Sequence, residues 1–407
     1  MKNFIKNSLI LGSIVLNTVF YFLSGFSKRK PNRIMFGSWS GYKIGDNPMH
    51  LLDYLKNNEN IEIIWCGKKH LKDIDIINHK NVQFVQYNTL KSLYYALTSK
   101  YVFISNTYRD IALINLFKGA TFVQLWHGFG LKKTLATNKR SRLKKLYYEL
   151  GKNSYEKYSY FISSSELNTK KLLSAFKNNG ITNDKVIASG QPKNDFLLKE
   201  RSNSYIQVIK ERYKLKYAIP TDKKIILYLP TFRDNKPTFS FSELKNKDEL
   251  KLEKELNKNN AIIIEKMHFK DSGNKSKRAD EHIFKVCKTE EINELLLISD
   301  MLISDYSSCY LDYLLLDRPI IHFAYDYNEY KTVDRGFYYD LDVLAAGPIT
   351  YTLEETIEQI AKILNNQDNY KQKRRAIKQL AMTYETGDSC KKISDVVLSE
   401  NVGSALK

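Results

Sequence analysis

The segment from Ile298 to Tyr330 constrains the fold of this chain more than any other. Its short apolar run Met301–Ile303 stops at a polar turn, Ser304–Ser308, and apolar spacing typical of a helix resumes over Tyr310–Leu316. A second short apolar run, Pro319–Phe323, follows. Strand, polar turn, helix and strand in this order indicate a βαβ unit of a doubly wound parallel sheet. Ligands of such sheets bind at the carboxyl ends of the strands.

The polar turn has two interpretations. Asp305, Ser307 and Ser308 precede the predicted helix, where free N–H groups, the helix dipole and hydroxyl donors together form a site for an anion. The alternative is an ordinary Ser/Asp helix cap with no ligand, because these residues cap helices in many proteins. On this segment alone both remain open.

Length and charge limit the possible functions. The chain has 407 residues and a formal net charge of +19 at pH 7. This length favours two domains, each able to bury a core. The excess of positive charge is mostly Lys dispersed along the chain, and it favours a phosphorylated substrate or an anionic lipid surface as partner. No Arg-rich groove binder, zinc finger or aromatic RNA-binding motif occurs, so we do not expect nucleic acid as a partner.

The N-terminus predicts a membrane-associating segment over residues 1–30. No charged residue occurs between Lys6 and Lys28, and most of Leu9–Phe26 is apolar, which is marginal for a spanning helix. The cluster Lys28–Lys30 would contact anionic headgroups and keep the following chain on the cytoplasmic side. We expect an interfacial or partly inserted anchor. A cleaved signal peptide and a buried first helix are the alternatives.

Short apolar runs alternate with amphipathic stretches through the rest of the chain. The polar loop after the first run ends at Asn47 and Pro48, which predict a helix start with Asn47 as its cap. The pattern is interrupted over Leu198–Pro220 and then restarts, so we predict one α/β domain over residues 31–205 and a second over 206–407. The predicted strands are Arg33–Phe36, Ile61–Cys66, Val82–Val85, Tyr101–Ser105, Thr121–Leu125, Tyr160–Ser163, Val186–Ser189, Ile225–Leu229, Ala261–Ile264, Met301–Ile303 and Ile320–Phe323.

Four more of these strands end in polar clusters. Each cluster has an ordinary interpretation, such as a structural histidine or a turn. Together with the turn at Ser304–Ser308, they predict a cleft between two domains that binds a phosphorylated nucleotide. The clusters are Trp126–Lys133 with His127, Gly190–Asp195 with Lys193, Pro230–Asp234 with Thr231 and Arg233, and Glu265–Phe269 with Lys266 and His268.

In their order and residue identities these clusters resemble the motifs of the CDP-glycerol glycerophosphotransferase family. Its members build teichoic acids and related phosphopolyol polymers at the cytoplasmic membrane face. The resemblance spans about Phe36 to Val397. It is most specific over Ser304–Tyr330, including Asp312 and Arg318–Asp326, and it extends to Asp334–Asp340 and Gly347–Ile349.

The resemblance implies two Rossmann-like domains facing a cleft, the B type of glycosyltransferase architecture, with the donor held mainly by the C-terminal domain. It makes His127 the candidate catalytic base and His268 the second functional histidine. The donor contacts that it implies are Gly128, Phe129, Gly130, Leu131, Lys193, Pro230, Thr231, Lys266, Met267, Ser307, Ser308 and Asp312, to which the strand-end clusters add Arg233 and Asp305.

This chain departs from the family pattern at three places. The family more often has Thr-Pro at Phe129–Gly130, Arg at Lys193 and Pro at Phe269. Lys at position 193 keeps the charge but loses the bidentate geometry of a guanidinium on phosphate.

The resemblance implies a transferase that moves glycerol phosphate from CDP-glycerol to a hydroxyl of a membrane-linked or polymeric acceptor and releases CMP, in synthesis of teichoic acid or another cell-wall or capsular polymer. The same fold could instead use CDP-ribitol or a nucleotide sugar. A non-catalytic membrane-associated binder of anionic polymer is the alternative from another class. We expect a location at the cell membrane, peripheral or anchored by the N-terminus on the cytoplasmic side.

We expect no metal and no cofactor. The four cysteines lie far apart without paired spacing, which suits a reducing compartment and argues against structural zinc. Asp73–Asp75 and Asp340–Asp342 match the Asp-x-Asp pattern of metal-dependent glycosyltransferases, but so short a pattern arises easily by chance.

Overall fold

The computed structural model describes residues 12, 15–72, 74, 78–129, 157–177, 180–199, 202–233, 236–244, 247–268, 281–334 and 337–398. These residues divide into two compact units. The first unit lies within Met1–His127, Leu135–Asp195 and Tyr384–Lys407, and the second within Gly128–Thr134 and Phe196–Thr383.

The strands of the described residues are β1 (Lys30–Gly37), β2 (Glu62–Gly67), β3 (Val82–Gln86), β4 (Ser99–Ile104), β5 (Thr121–Gln124), β6 (Tyr160–Ile162), β7 (Val186–Ile187), β8 (Lys224–Leu229), β9 (Ala261–Glu265), β10 (Ile283–Lys285), β11 (Met301–Ser304), β12 (Ile320–Phe323) and β13 (Ile349–Thr350).

The α-helices that follow them are α1 (Asp46–Leu55), α2 (Leu90–Thr98), α3 (Glu166–Ala175), α4 (Pro192–Lys199), α5 (Asn203–Tyr217), α6 (Lys247–Lys258), α7 (Ile292–Ile298), α8 (Cys309–Tyr313), α9 (Tyr327–Glu329), α10 (Leu341–Leu344), α11 (Leu353–Leu364), α12 (Lys371–Ala381) and α13 (Ser389–Leu398).

The first unit is built on a parallel sheet with strand order β3-β2-β1-β4-β5-β6-β7. Buried apolar side chains cover both faces of this sheet, as the continuous apolar runs predict. Helix starts are fixed by side chains: Thr89 and Ser92 form a capping box at α2, and Ser165 caps α3. Because every strand is parallel, all their carboxyl ends lie along one edge of the sheet.

The last helix, α13, belongs to the first unit. Its Ile393 and Val397 are buried in the core under the first sheet, and the Asp195 carboxylate accepts hydrogen bonds from the N–H groups of Ser389 and Cys390, both at 2.9 Å. The division between units falls inside α4, between Asp195 and Phe196. The sequence instead predicts a boundary after residue 205 and a second domain that continues to residue 407, because burial of α13 by a distant sheet leaves no local signal.

The second unit has a parallel sheet with strand order β10-β9-β8-β11-β12-β13. The predicted βαβ unit is present as β11, α8 and β12. Gly347 precedes β13, and a Cβ there would lie 1.8 Å from the carbonyl oxygen of Ile320. Only glycine permits that approach of the two backbones. The predicted class, α/β with parallel sheets, is confirmed.

The N-terminal helical residues 15–24 pack one side, which carries Asn17, Tyr21 and Ser24, onto the rest of the first unit. Asn17 and Ser24 are buried and accept hydrogen bonds from the N–H groups of Asn115 and Lys118. Arg29 continues this attachment by donating to four backbone carbonyl oxygens of the first unit. In the part of the chain that the structure describes, no helix is long and apolar enough to cross a membrane.

Candidate active site

His127 lies half-buried just beyond the carboxyl end of β5. Its Nδ1 is 3.1 Å from the carbonyl oxygen of Ser105, which follows the neighbouring strand β4. A carbonyl oxygen only accepts, so Nδ1 carries the hydrogen and the neutral ring has its lone pair on Nε2. The indole of Trp126 stacks on the imidazole with centroids 4.6 Å apart, and Trp39 lies tilted against it at 5.4 Å. This arrangement suits a general base.

Lys193 lies beside His127. Its side chain is buried, and its ammonium donates to the carbonyl oxygen of His127 at 3.2 Å. The N–H of Lys193 donates to Asn47 Oδ1 at 3.1 Å, and the Asn47 amide donates to the carbonyl oxygen of Leu125 at 2.8 Å. Asn47 is therefore not the helix cap that the sequence predicts. It is the second residue of α1, and it joins the segments that carry His127 and Lys193.

The boundary between the two units falls directly after His127. Gly128 has a φ of +143°, in the region that favours glycine. Phe129 is buried, and its ring makes an edge contact with that of Tyr339 at 6.1 Å. Two predicted donor contacts, Gly130 and Leu131, lie outside the described residues.

In the second unit, Pro230 and Thr231 follow β8 and meet the turn that follows β11. The N–H of Thr231 donates to both carboxylate oxygens of Asp305 at 3.0 Å. Thr231 is 5% exposed, yet its hydroxyl has no hydrogen-bond partner among the described residues. A buried hydroxyl without a partner costs free energy unless a ligand or water satisfies it. Thr231 therefore points to a polar ligand at this edge of the sheet.

Arg233 is held by carboxylates of the protein. Its guanidinium is buried, lies 2.9 Å from Asp305 Oδ2, and donates through Nε and Nη2 to the two oxygens of Asp326 at 2.7 and 2.9 Å. Burial alone would raise the pKa of Asp326, but these bonds hold that pKa below its ordinary value. The sequence proposes Arg233 and Asp305 as substrate contacts. The geometry favours a role in which they hold the loop of Thr231 in place.

Lys266, Met267 and His268 follow β9, the neighbour of β8 on the other side. Lys266 is buried, and its N–H donates to the carbonyl oxygen of Tyr228 at 3.1 Å. His268 is half-buried, with its ring tilted against that of Phe232 at 5.6 Å. The cation and the second histidine thus lie at the same sheet edge as Thr231.

The α-helix at the predicted anion site, α8, is shorter than the sequence predicts. This helix has five residues, and the following turn, Leu314–Leu316, is a 3₁₀ helix. A helix of this length contributes little dipole, so hydroxyl groups dominate the site. Ser308 precedes the helix without capping it through its hydroxyl, whereas Ser307 Oγ lies 3.5 Å from the N–H of Cys309. Asp312 lies within the helix and is 2% exposed.

Sequence reasoning missed the side chains that hold these groups in place. Asn47, Gln124 and Asp326 are buried polar residues that bond to the segments of His127 or Thr231, and the buried Asp110 bonds to the loop of Ser105, which binds His127. The single available signal was Gln124, a polar residue inside an apolar strand. Among the described residues, no group of three or more His, Cys, Asp or Glu could hold a metal ion.

Two parallel-sheet units with histidine, lysine and hydroxyl groups at their strand ends are consistent with a transferase that uses a nucleotide-linked donor. The chain belongs to the CDP-glycerol:poly(glycerophosphate) glycerophosphotransferase family, whose model matches residues 19–399. The family and the enzyme class predicted from the sequence are thereby confirmed.

Relatives cover nearly the whole chain. The teichoic acid poly(glycerol phosphate) polymerase of Bacillus spizizenii is 33% identical over 395 residues, which are 94% of this chain and 95% of the relative. The teichoic acid glycerol-phosphate transferase of Staphylococcus aureus is 30% identical and covers 98% of this chain and 99% of its own. A solved wall teichoic acid polymerase TagF, a histidine-to-asparagine variant soaked with CDPG, has a TM-score of 0.78 and 25% identity, with 100% of both chains covered.

Proposed function

We propose that this protein transfers glycerol phosphate from CDP-glycerol to a hydroxyl of a growing teichoic acid or related polymer and releases CMP. The observation that carries the proposal is the convergence of Thr231, Lys266, His268 and Ser307 at the carboxyl ends of the adjacent strands β9, β8 and β11. A cation, a histidine and hydroxyl donors at one sheet edge suit a diphosphate. The names of the two relatives support glycerol phosphate as the transferred group.

In the proposed reaction, an acceptor oxygen attacks the distal phosphorus of CDP-glycerol. A new O–P bond forms, the bond from that phosphorus to the bridging oxygen breaks, and CMP leaves with the bridging oxygen. The hydroxyl proton passes to Nε2 of His127. Negative charge grows on the phosphate of CMP, where Lys266, His268 and the hydroxyl groups would stabilise it.

The test is a donor panel, read as release of CMP from CDP-glycerol or CDP-ribitol and of UDP from UDP-N-acetylglucosamine, with mass spectrometry of the product formed on a lipid-linked acceptor. We expect turnover with CDP-glycerol and growth of the acceptor by glycerol phosphate units. His127→Ala should remove turnover while the protein stays folded. His70→Ala is the matched control, because His70 is an exposed histidine of the same unit. Turnover with CDP-ribitol or the nucleotide sugar in place of CDP-glycerol would contradict the proposed donor.

We also propose that residues 15–26 attach the protein to the membrane surface on its cytoplasmic side, where the acceptor is lipid-linked. One side of these residues, with Asn17, Tyr21 and Ser24, is buried, whereas another side exposes apolar side chains, each between 46% and 90% exposed: Val15, Leu16, Val19, Phe22, Leu23 and Phe26. Lys28 and Lys30 are exposed next to this face, and the ammonium of Lys118 lies 4.2 Å from the ring centroid of Phe22. Apolar groups bordered by cations fit an anionic bilayer.

Sedimentation with phosphatidylglycerol vesicles tests this attachment. The triple variant Phe22→Ser, Leu23→Ser, Phe26→Ser should lose most of its vesicle binding, since it removes three side chains of the exposed apolar face. The matched control is Val208→Ser, Leu215→Ser, Leu250→Ser, which removes three exposed apolar groups from the second unit. Equal vesicle binding by the two triple variants would contradict the proposal.

A further inference from the structure

Asp110 is a fully buried carboxylate that joins two loops of the first unit. It lies in a 3₁₀ turn, Tyr108–Asp110, beyond the end of β4. Its Oδ1 accepts the N–H of Ser40 at 2.7 Å, and its Oδ2 accepts the N–H groups of Ser105 and Asn106 at 3.0 and 2.7 Å. Ser40 lies in the loop after β1, and Ser105 in the loop after β4, so one carboxylate fixes the loops of two neighbouring strands.

The loop that Asp110 holds is the one that binds His127. The carbonyl oxygen of Ser105 accepts from His127 Nδ1, and that bond keeps the lone pair on Nε2. The next carbonyl oxygen, that of Asn106, accepts from Gln124 Nε2 at 2.6 Å. Gln124 Oε1 in turn accepts the N–H of Trp126 at 2.9 Å. The loop after β4 is thus fixed by Asp110 from one side and by Gln124 from the other.

The backbone beside His127 is strained, and the bonds of Asp110 and Gln124 hold it in that conformation. Trp126 has a φ of +53°, and in the loop after β1 Trp39 and Ser40 have φ values of +49° and +53°. Each such residue costs about 1–3 kcal/mol and persists only where the surroundings hold it. Gln124 bonds to the N–H of Trp126 and Asp110 bonds to that of Ser40, so both strained turns are held by these two side chains.

We propose that Asp110 and Gln124 are positioning residues for the transfer reaction. They hold the Ser105–Asn106 peptide so that its carbonyl fixes the tautomer and the orientation of His127. Asp110 bonds to the N–H of Ser105 and Gln124 to the carbonyl oxygen of Asn106, so each acts on His127 through the backbone of this loop. This inference rests on the proposed role of His127 as the base.

The experiment compares Asp110→Asn and Gln124→Glu with wild type. An amide at position 110 presents N–H groups toward backbone N–H groups, and a carboxylate at position 124 faces the carbonyl oxygen of Asn106. We expect kcat for CMP release to fall by about 100-fold in each variant, with KM for CDP-glycerol changed less than about threefold, because a misplaced base slows chemistry and leaves donor binding intact.

A second measurement separates positioning from general damage. In protein labelled with ¹⁵N-histidine, the imidazole shifts of His127, assigned by their loss in His127→Ala, report which ring nitrogen carries the hydrogen. Wild type should show Nδ1 protonated, and both variants a mixture of tautomers. Glu62→Gln is the matched control for Asp110→Asn, since it also replaces a carboxylate by an amide, at the start of β2 and thus at the opposite edge of the same sheet.

The outcomes are decisive. Unchanged kcat in both variants, or reduced kcat with the wild-type tautomer, would overturn the inference. If Asp110→Asn does not fold, Gln124→Glu alone decides, because it leaves the Asp110 carboxylate in place. Full turnover by His127→Ala would instead overturn the role of His127 as base, and the tautomer measurement would still report whether Asp110 and Gln124 orient the ring.

Discussion

Replacement of Arg233 distinguishes a structural guanidinium from a phosphate-binding one. Arg233 is 3% exposed and lies against the rings of Tyr306, Tyr325 and Tyr330, with its guanidinium carbon 5.0 to 5.3 Å from their centroids. It ion-pairs with Asp305, the carboxylate that binds the N–H of Thr231, and with Asp326. The perturbation that we consider is Arg233→Met, which keeps much of the volume and removes the charge.

The magnitude follows from what the variant leaves behind. Two buried carboxylates lose their shared cation, and loss of one partner from a buried ion pair costs about 3–5 kcal/mol. Arg233→Lys keeps the charge, but a single ammonium does not reproduce the planar fork that bonds both oxygens of Asp326, so we expect a smaller loss of about 1–3 kcal/mol. Arg212→Met is the matched control. Arg212 is exposed and bonds to Glu294 at the surface of the same unit, and such pairs contribute below about 1 kcal/mol.

The assay is urea unfolding followed by circular dichroism, together with KM for CDP-glycerol. We expect stability to fall in the order wild type, Arg212→Met, Arg233→Lys, Arg233→Met, with donor KM of Arg233→Lys raised because the loop of Thr231 loosens. If Arg233→Met instead unfolds within about 1 kcal/mol of wild type while donor KM rises more than tenfold, Arg233 contacts the donor phosphate and the structural reasoning fails.

Three further perturbations test other parts of the fold. Burial lowers the pKa of His322 to about 4, so the folded protein holds this imidazole neutral, and the stability that depends on the neutral form is lost as pH falls below about 6.5. The difference in unfolding free energy between wild type and His322→Asn should therefore narrow by up to about 3 kcal/mol between pH 7 and pH 4.5. Asn47→Ala leaves the carbonyl oxygen of Leu125 without its amide donor, so unfolding should show a loss of about 1–3 kcal/mol and CMP release a lower kcat. Gly347→Ala places a methyl group 1.8 Å from the carbonyl oxygen of Ile320, and circular dichroism should show that the second unit no longer folds cooperatively.

Local pattern was sufficient for most of the sheets. Eleven of the thirteen strands in the described residues coincide with apolar runs read from the sequence, because a strand buried on both faces needs a continuous run of apolar residues. The two that the sequence missed, β10 and β13, are edge strands of three and two residues. Strands of that length are defined by pairing with a neighbour, and pairing leaves no periodicity in the chain.

The candidate residues for the chemistry were also visible in the sequence, since His127, Lys193, Thr231, Lys266 and Ser307 all lie within a few residues of the end of an apolar run. Whether each is available to a ligand was not visible. Arg233 appeared equivalent to Lys266, and only the fold places two carboxylates around it.

The sequence by itself determined the class of fold, the family and the positions where strands end. Each of these depends on residues that are near neighbours along the chain. The tertiary structure alone decided which polar groups hold others in place. Asp110 and Asn47 act on backbone groups that lie apart in the chain, on loops that follow different strands. Hydrogen bonds form only at distances of about 3 Å, so these groups find their partners only when the sheet has formed. The order of residues along the chain does not show which groups will pair.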